Sequence, residues 1–248
     1  MNKKIIISNC KKLLDAYKKG LLGQTIMPED SNPGVGKMDK ETRLVYFSLP
    51  MSLNYQRDSY KLWQAALETF QDSGTKDVFD IACVVKLHTD DLRKKLLKHK
   101  LALQSNKHIN TWQTISKTVY ENWGSFSNLI DNSESDFLKI KNIMQVEYKK
   151  GFPYISGEKI FNYWSFVLKT YGGVDLKNAR YIDIAPDTHI TKCSVKLGVI
   201  AEKEASGITK EKISERWREI LDGSGINPID MHPPLWFWSR NGFIFELD

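Results

Sequence analysis

Apolar residues recur every three or four positions along most of the chain, and this spacing limits the possible folds more than any other feature of the sequence. It is typical of helices that bury one face. Examples are Ile6, Cys10, Leu13, Leu14, Tyr17 and Leu21; Trp112, Ile115, Val119 and Trp123; Phe137, Ile140, Met144 and Tyr148; Ile160, Trp164, Val167, Leu168 and Tyr171; and Ile213, Trp217, Ile220 and Leu221. Short strand candidates at 44–47, 181–184 and 243–245 do not alternate with helices as a parallel sheet requires. The sequence therefore predicts an all-α fold.

The length of 248 residues suits one large domain or two closely joined lobes. Apolar residues make up 41% and charged residues 27%, which excludes a disordered or fibrous chain. The early apolar run at 5–7 is too short for a signal-peptide core, and no run approaches the roughly 20 residues that span a bilayer. We expect no membrane association and a cytoplasmic location, at the nucleoid if the source is prokaryotic.

The three cysteines, Cys10, Cys83 and Cys193, lie far apart in sequence. This spacing excludes a disulfide framework, a zinc knuckle or a four-cysteine iron–sulfur cluster built from this chain alone. No metal is implied by the cysteines. The net charge of +6 is compatible with an anionic partner without identifying one. Basic residues are dense at 86–100, including Lys94 and Lys98, where they could contact phosphates or simply form a solvated helix face.

One candidate for chemistry is the segment 152–168, in which Pro153 and Gly157 form a turn that opens a helix. Lys159 lies in the first turn of this helix. A cation is disfavoured at the positive N-terminal end of a helix, and partial burial would disfavour its charge further. Lys159 is therefore a candidate neutral nucleophile, with an exposed surface lysine as the alternative.

A second candidate is the segment 185–198. Asp187 follows Pro186 and is suited to cap a helix, whose apolar face would include Ile190 and Cys193. Capping alone could explain this aspartate.

Together the two segments resemble the helix-hairpin-helix DNA glycosylase superfamily, which carries Gly-x-Lys at a helix start and then Asp-x-His-h-x-[Arg/Lys], where h is apolar. The matching runs are Gly157-Glu158-Lys159 and Asp187-Thr188-His189-Ile190-Thr191-Lys192, followed by Lys196-Leu197-Gly198. Tyr154 replaces the first glycine of the family hairpin, and Ser156 lengthens the turn by one residue.

Other features resemble the archaeal 8-oxoguanine glycosylase branch of that superfamily. These are the wide spacing from Lys159 to Asp187, the lack of cluster-binding cysteines, and Tyr55-Gln56 with Trp63 downstream. In that branch the glutamine helps to recognise the damaged base. A C-terminal tryptophan, here Trp236, contacts the base. Gln56 could equally be a surface or capping residue, whereas Trp112, Trp164 and Trp217 follow helical stripes and are expected in the core.

The resemblance implies two helical lobes around a DNA-binding cleft, with a helix-hairpin-helix-like element between them. Residues 1–248 would form one catalytic unit, with a central lobe at about 53–170 and a second lobe from about 1–52 and 171–248. The partner would be double-stranded DNA containing a damaged base, bound by a monomer.

The resemblance also implies an activity, that of a DNA repair glycosylase with AP lyase activity. It would excise an oxidised purine, with 8-oxoguanine favoured, through a lysine Schiff base and without a cofactor. Lys159 would be the nucleophile and Asp187 would stabilise positive charge on the sugar. Substrate-binding residues would be Gln56, His189 and Trp236, and DNA-binding residues would be Gly157, Lys94, Lys98 and Lys192.

Two other classes remain open on the sequence. The first is a non-catalytic DNA-binding or damage-sensing protein of the same fold, in which Lys159 only contacts phosphate. The second is a helical protein with an acidic protein partner. Zinc-dependent deamination and nuclease chemistry are disfavoured, because the sequence has neither a His-x-Glu with Cys-x-x-Cys pattern nor clustered carboxylates.

Overall fold

The structure, a computed structural model, describes residues 2–247. Within this range the regular structure is helical, with one isolated bridge between Asp136 and Lys177 and no strand. The predicted all-α class is confirmed. The α-helices are α1 (Lys3–Lys18), α2 (Lys40–Ser52), α3 (Ser59–Gln71), α4 (Ile81–Lys86), α5 (Thr89–Lys98), α6 (Lys107–Trp123), α7 (Phe126–Asn132), α8 (Phe137–Asn142), α9 (Glu158–Thr170), α10 (Thr188–Lys196), α11 (Lys210–Leu221) and α12 (His232–Arg240).

The three short strand candidates are wrong. Residues 44–47 lie inside α2 and are all buried, so this apolar run belongs to a helix enclosed on every side. Tyr181 ends the 3₁₀ turn Ala179–Tyr181, and 182–184 have no regular secondary structure. Residues 243–245 lie in the turn after α12. A short apolar run does not carry enough periodicity to separate a strand from a buried helix.

Two compact units divide the chain: Met27–Asn178, and the residues up to Ile26 together with those from Ala179 onward. The division therefore falls at 26/27 and 178/179, whereas the expected lobes change at 52/53 and 170/171. Residues 27–52 group with the central segment because α2 packs against α3, α6, α7 and α9.

The central unit, Met27–Asn178, is built around large aromatic side chains. The fully buried ones are Tyr46, Phe47, Trp63, Trp112, Phe126, Phe137, Phe152, Phe161 and Trp164. Trp112 donates its indole N–H to the carbonyl of Val78 at 2.9 Å, and Trp164 donates to the hydroxyl of Ser48 at 2.9 Å. Each such side chain contributes about 1.5–3 kcal/mol through burial. The core positions predicted for Trp112 and Trp164 are confirmed.

In the second unit, the C-terminal α12 packs against α1 and α10, and α11 packs against α1. Trp217 is fully buried, as predicted, and donates to the hydroxyl of Ser194 at 2.8 Å. Two aromatic residues of α12, Phe237 and Trp238, are also buried in this unit. None of the helices within residues 2–247 combines the length and apolar character that crossing a membrane requires.

Candidate active-site residues

The segment between α8 and α9 positions the N-terminus of α9. Beyond α8 the chain makes a π-helical turn, Ile143–Glu147, a 3₁₀ turn, Lys149–Gly151, and a tight turn that ends at Gly157, the N-cap of α9. Gln145 donates from Nε2 to the carbonyl oxygen of Ser156 at 3.0 Å. Lys141 pairs with Glu158 at 2.8 Å. Contacts on both sides of Gly157, at Ser156 and at Glu158, therefore hold the turn before α9 against the segment that precedes it.

Lys159 is the second residue of α9, so its predicted place in the first turn is confirmed. The side chain is exposed, which contradicts the expected partial burial. Among residues 2–247 it makes no hydrogen bond or ion pair. Its amine can thus approach a partner, while the helix N-terminus disfavours its positive charge.

Asp187 caps α10, as predicted, and both of its carboxylate oxygens are used. Oδ1 accepts from the backbone N–H of Ile190 at 2.9 Å. Oδ2 accepts from the indole Nε1 of Trp236 at 3.1 Å. Capping holds the carboxylate in place, and the second bond connects it to a side chain 49 positions away in sequence.

Trp236 is half-buried, in contrast to its neighbours Phe237 and Trp238. The ring of His189 meets it edge-on with centroids 5.6 Å apart, and Nδ1 of His189 is 3.1 Å from the hydroxyl of Ser239. The guanidinium group of Arg240 lies over the ring of Trp236, with its carbon 4.9 Å from the ring centroid. The second unit therefore brings together three predicted site residues: Asp187, His189 and Trp236.

Gln56 lies in the loop before α3, and its side chain is exposed rather than enclosed in a dry pocket. Its neighbour Tyr55 contacts Tyr154, with ring centroids 5.2 Å apart and nearly perpendicular planes. The Tyr55-Gln56 segment and the turn that leads to Lys159 are thus neighbours within the central unit. Gly157, also predicted to contact DNA, is exposed in the same turn.

Glu29 is a candidate that the sequence did not single out. It lies in the 3₁₀ turn Pro28–Asp30 and is only 1% exposed. Oε1 accepts from the hydroxyl of Tyr163, which is one turn beyond Lys159 on α9, at 3.0 Å. Among the described residues Oε2 has no hydrogen-bond partner, although the indole N–H of Trp63 is near enough to lower the pKa of the carboxyl group slightly. In the sequence, Met27-Pro28-Glu29-Asp30 gives no signal of this burial, since such a segment resembles an ordinary solvated loop.

Burial raises the pKa of Glu29 to about 7, and the neighbouring Asp30 charge acts in the same direction. The Tyr163 hydroxyl and nearby N–H groups offset part of this rise. A carboxyl group of this kind exchanges its proton near neutral pH and can either donate or accept at Oε2.

The predicted DNA-binding lysines of α5 are paired with carboxylates. Lys94 lies 3.3 Å from Asp91, and Lys98 lies 2.6 Å from Asp72. These pairs fit a solvated helix face better than a surface of unpaired cations. Lys192 on α10 is exposed and has no ion pair among the described residues.

In the part of the chain that the structure describes, no three His, Cys, Asp or Glu side chains are grouped closely enough to hold a metal ion. Neither the models of known protein families nor the curated proteins give a match to this chain. The functional assignment therefore depends on the residues themselves.

Proposed function

We propose that this protein is a DNA glycosylase with AP lyase activity that removes an oxidised purine, with 8-oxoguanine as the preferred lesion. The cleft and the helix-hairpin-helix-like element belong to the same proposal. Its partner is double-stranded DNA, from which the damaged nucleotide swings out of the stack at a cost of a few kcal/mol.

The hydrogen bond between Trp236 and Asp187 is the observation that carries the proposal. These two residues were assigned by separate sequence features, one in the Asp-x-His segment and one in the aromatic tail. Their direct contact, with His189 against the same ring, gives a carboxylate beside an aromatic surface. That pairing suits a site that stabilises positive charge on a sugar and stacks on a base.

Each step of the reaction has a residue of suitable chemistry. As the bond between base and sugar breaks, the electron pair leaves with the base and the anomeric carbon becomes positive, which the Asp187 carboxylate stabilises. The Lys159 amine, its ammonium proton having passed to the departing base, attacks this carbon and forms a C–N bond. A proton then passes from that nitrogen to the ring oxygen, the bond from this oxygen to the anomeric carbon breaks, and a protonated Schiff base remains. Loss of a proton from the adjacent sugar carbon then expels the 3′ phosphate and cuts the strand.

The direct test is to incubate the protein with duplexes that each contain one defined lesion, with and without borohydride. We expect strand cleavage at the oxidised purine and, with borohydride, a covalent protein–DNA adduct, because reduction fixes the imine. A protein that binds these duplexes but neither cleaves nor becomes trapped would not be a lyase.

The alternative is a non-catalytic DNA-binding or damage-sensing protein. The exposure of Lys159 is an observation in favour of this alternative, because a hydrated ammonium group contacts phosphate readily. The non-catalytic alternative predicts that the protein binds the lesion duplex without releasing the base or cutting the strand. The same incubation therefore distinguishes the two functions.

A further inference from the structure

Tyr154 has a backbone conformation that a tyrosine rarely adopts. Its φ is +72°, in the left-handed region that glycine favours, and Gln56 in the contacting loop has a φ of +48°. A bulky side chain in this region strains the backbone, and such strain is concentrated at functional sites. A glycine at position 154 would form the same turn without this cost, so the ring itself requires an explanation.

The termination of a helix does not explain this strain. Phe243 has a comparable φ of +60°, but its N–H donates to the carbonyl of Trp238 and so completes the end of α12. Tyr154 instead lies between Pro153 and Ile155 in the turn before α9, and it terminates no helix.

The ring of Tyr154 belongs to a half-exposed cluster with Tyr55 and Lys107. The ammonium nitrogen of Lys107 lies 4.4 Å from the ring centroid of Tyr55 and 5.9 Å from that of Tyr154. The two rings meet edge to face. Burial and the neighbouring Tyr55 raise the pKa of Tyr154 to about 12, so its hydroxyl stays neutral under physiological conditions.

The surroundings of the cluster are basic. Lys107 has no carboxylate partner among the described residues. The guanidinium of Arg57 donates to the carbonyls of Lys100 and Leu101, and the charge of the adjacent Asp58 partly offsets the effect of burial, which lowers the pKa of Arg57. Beneath them, His108 is kept neutral: burial, followed by the charges of Arg57 and Lys107, lowers its pKa to about 4. Aromatic rings beside cations, here led by Lys107, are the combination that holds unstacked bases against a phosphate backbone.

We propose that Tyr154 is a stacking contact for an unpaired base of DNA, with Lys107 and Arg57 supplying the positive charge beside it. This extends the proposed function by adding a contact outside the Asp187–Trp236 pair, and it requires only that DNA is the partner.

The test uses a duplex with one bulged 2-aminopurine and a fully paired duplex of the same sequence, with binding and 2-aminopurine fluorescence measured for each variant. We expect the wild type and Tyr154→Phe to bind the bulged duplex about tenfold more tightly than the paired one and to quench its fluorescence. Tyr154→Ala and Tyr154→Gly should lose both effects.

The alanine and glycine variants form a matched pair, because both lack the ring but only glycine relieves the strain. Tyr154→Gly should melt about 2 to 4 °C above Tyr154→Ala. If the glycine variant regains the bulge preference, the backbone of the turn and not the ring is the functional feature, and the proposal is wrong.

The outcomes also separate this inference from the proposed function. A wild type that cleaves the lesion duplex but shows no bulge preference overturns the stacking contact and leaves the glycosylase intact. A ring-dependent bulge preference without lesion cleavage supports the stacking contact and refutes the lyase. The absence of any bulge preference is also the result expected if the cluster contacts a protein.

Discussion

At the scale of single residues, the position of Lys159 in its helix and its exposure to solvent have opposite effects on the stability of its positive charge. The N-terminal end of α9 disfavours a cation, while the exposure of the side chain lets water stabilise the charge. The exposed amine of Lys159 is therefore accessible to bound DNA.

The first prediction is that Lys159→Gln abolishes borohydride trapping and strand cleavage and leaves DNA affinity within about twofold, because only an amine forms the imine. Trapped adducts are measured on gels and binding by fluorescence anisotropy. Lys117→Gln on α6 is the matched control, since it removes an exposed lysine to which no DNA contact is assigned and leaves the first turn of α9 unchanged. Full lyase activity in Lys159→Gln, or a trapped peptide that contains Lys169 or Lys192, would contradict the assignment.

The second prediction concerns the Asp187–Trp236 pair. Asp187→Asn should slow base release by at least about a hundredfold, because it removes a charge that stabilises the transition state. The melting temperature should change little, since asparagine caps a helix as well as aspartate does. Trp236→Phe, which keeps a ring but removes the N–H donor, should slow release less. Normal single-turnover rates in Asp187→Asn would leave the aspartate with a capping role only.

The third prediction follows from Glu29. Because its pKa is raised to about 7 in the folded protein, the folded state holds a proton that the unfolded state has already released above its ordinary pKa. The free energy of unfolding should therefore fall as pH rises from about 4.5 to 7, by up to about 3 kcal/mol, and then stay level. Glu29→Gln should lose this pH dependence and be more stable than the wild type at pH 8. Urea unfolding of both proteins at pH 5 and pH 8 measures the difference.

At the scale of elements, the turn before α9 is positioned by close packing as well as by hydrogen bonds. A Cβ on Gly151 would lie 2.5 Å from Cγ2 and 2.6 Å from Oγ1 of Thr118 on α6. Only a glycine allows the 3₁₀ turn to approach α6 this closely. The π-helical turn before it places Gln145 against Ser156, and no local periodicity in the sequence indicates that change of pitch.

The fourth prediction is that Gly151→Ala destabilises the protein by about 1–3 kcal/mol through overpacking. Adding Thr118→Ala should recover part of this loss, and a double-mutant cycle of urea unfolding measures the coupling. Gly36→Ala is the control, because a Cβ there meets nothing within 4 Å and its φ is not positive. Equal stabilities for Gly151→Ala and Gly36→Ala would show that the turn can move away from α6.

At the scale of the whole molecule, the net charge of +6 does not act as a uniform field. Several lysines are neutralised locally, and hydrogen bonds from Lys98 and then His99 hold the pKa of Asp72 well below its usual range. Among the described residues, cations without such partners, including Lys192 and Lys107, are the ones able to replace counterions at phosphates.

The fifth prediction is that affinity for duplex DNA falls steeply between low and moderate salt. Lys192→Ala should lower the slope of log affinity against log salt by about one unit, because each phosphate contact releases about one counterion. Lys98→Ala should leave the slope nearly unchanged, because Asp72 already neutralises that lysine. A flat salt response in the wild type would remove nucleic acid as the partner.

The sequence by itself determined the all-α class, the core positions of Trp112, Trp164 and Trp217, and the cap at Asp187. Each of these depends on local spacing, since one helical face repeats every three or four residues and a cap bonds to an N–H three residues away. The apolar run at 44–47 shows the limit of that reasoning, because a segment buried on every side has lost its periodic signal.

Only the tertiary structure decided the contact of Trp236 with Asp187, the burial of Glu29, the exposure of Lys159 and the pairing of Lys98 with Asp72. The electrostatic environment of a side chain is set by groups within a few ångströms of it, and here those groups come from distant parts of the sequence. Tyr163 contacts Glu29 across 134 positions, and Trp236 contacts Asp187 across 49. Burial and pairing of charge are therefore properties of the packed molecule, because they depend on which helices meet.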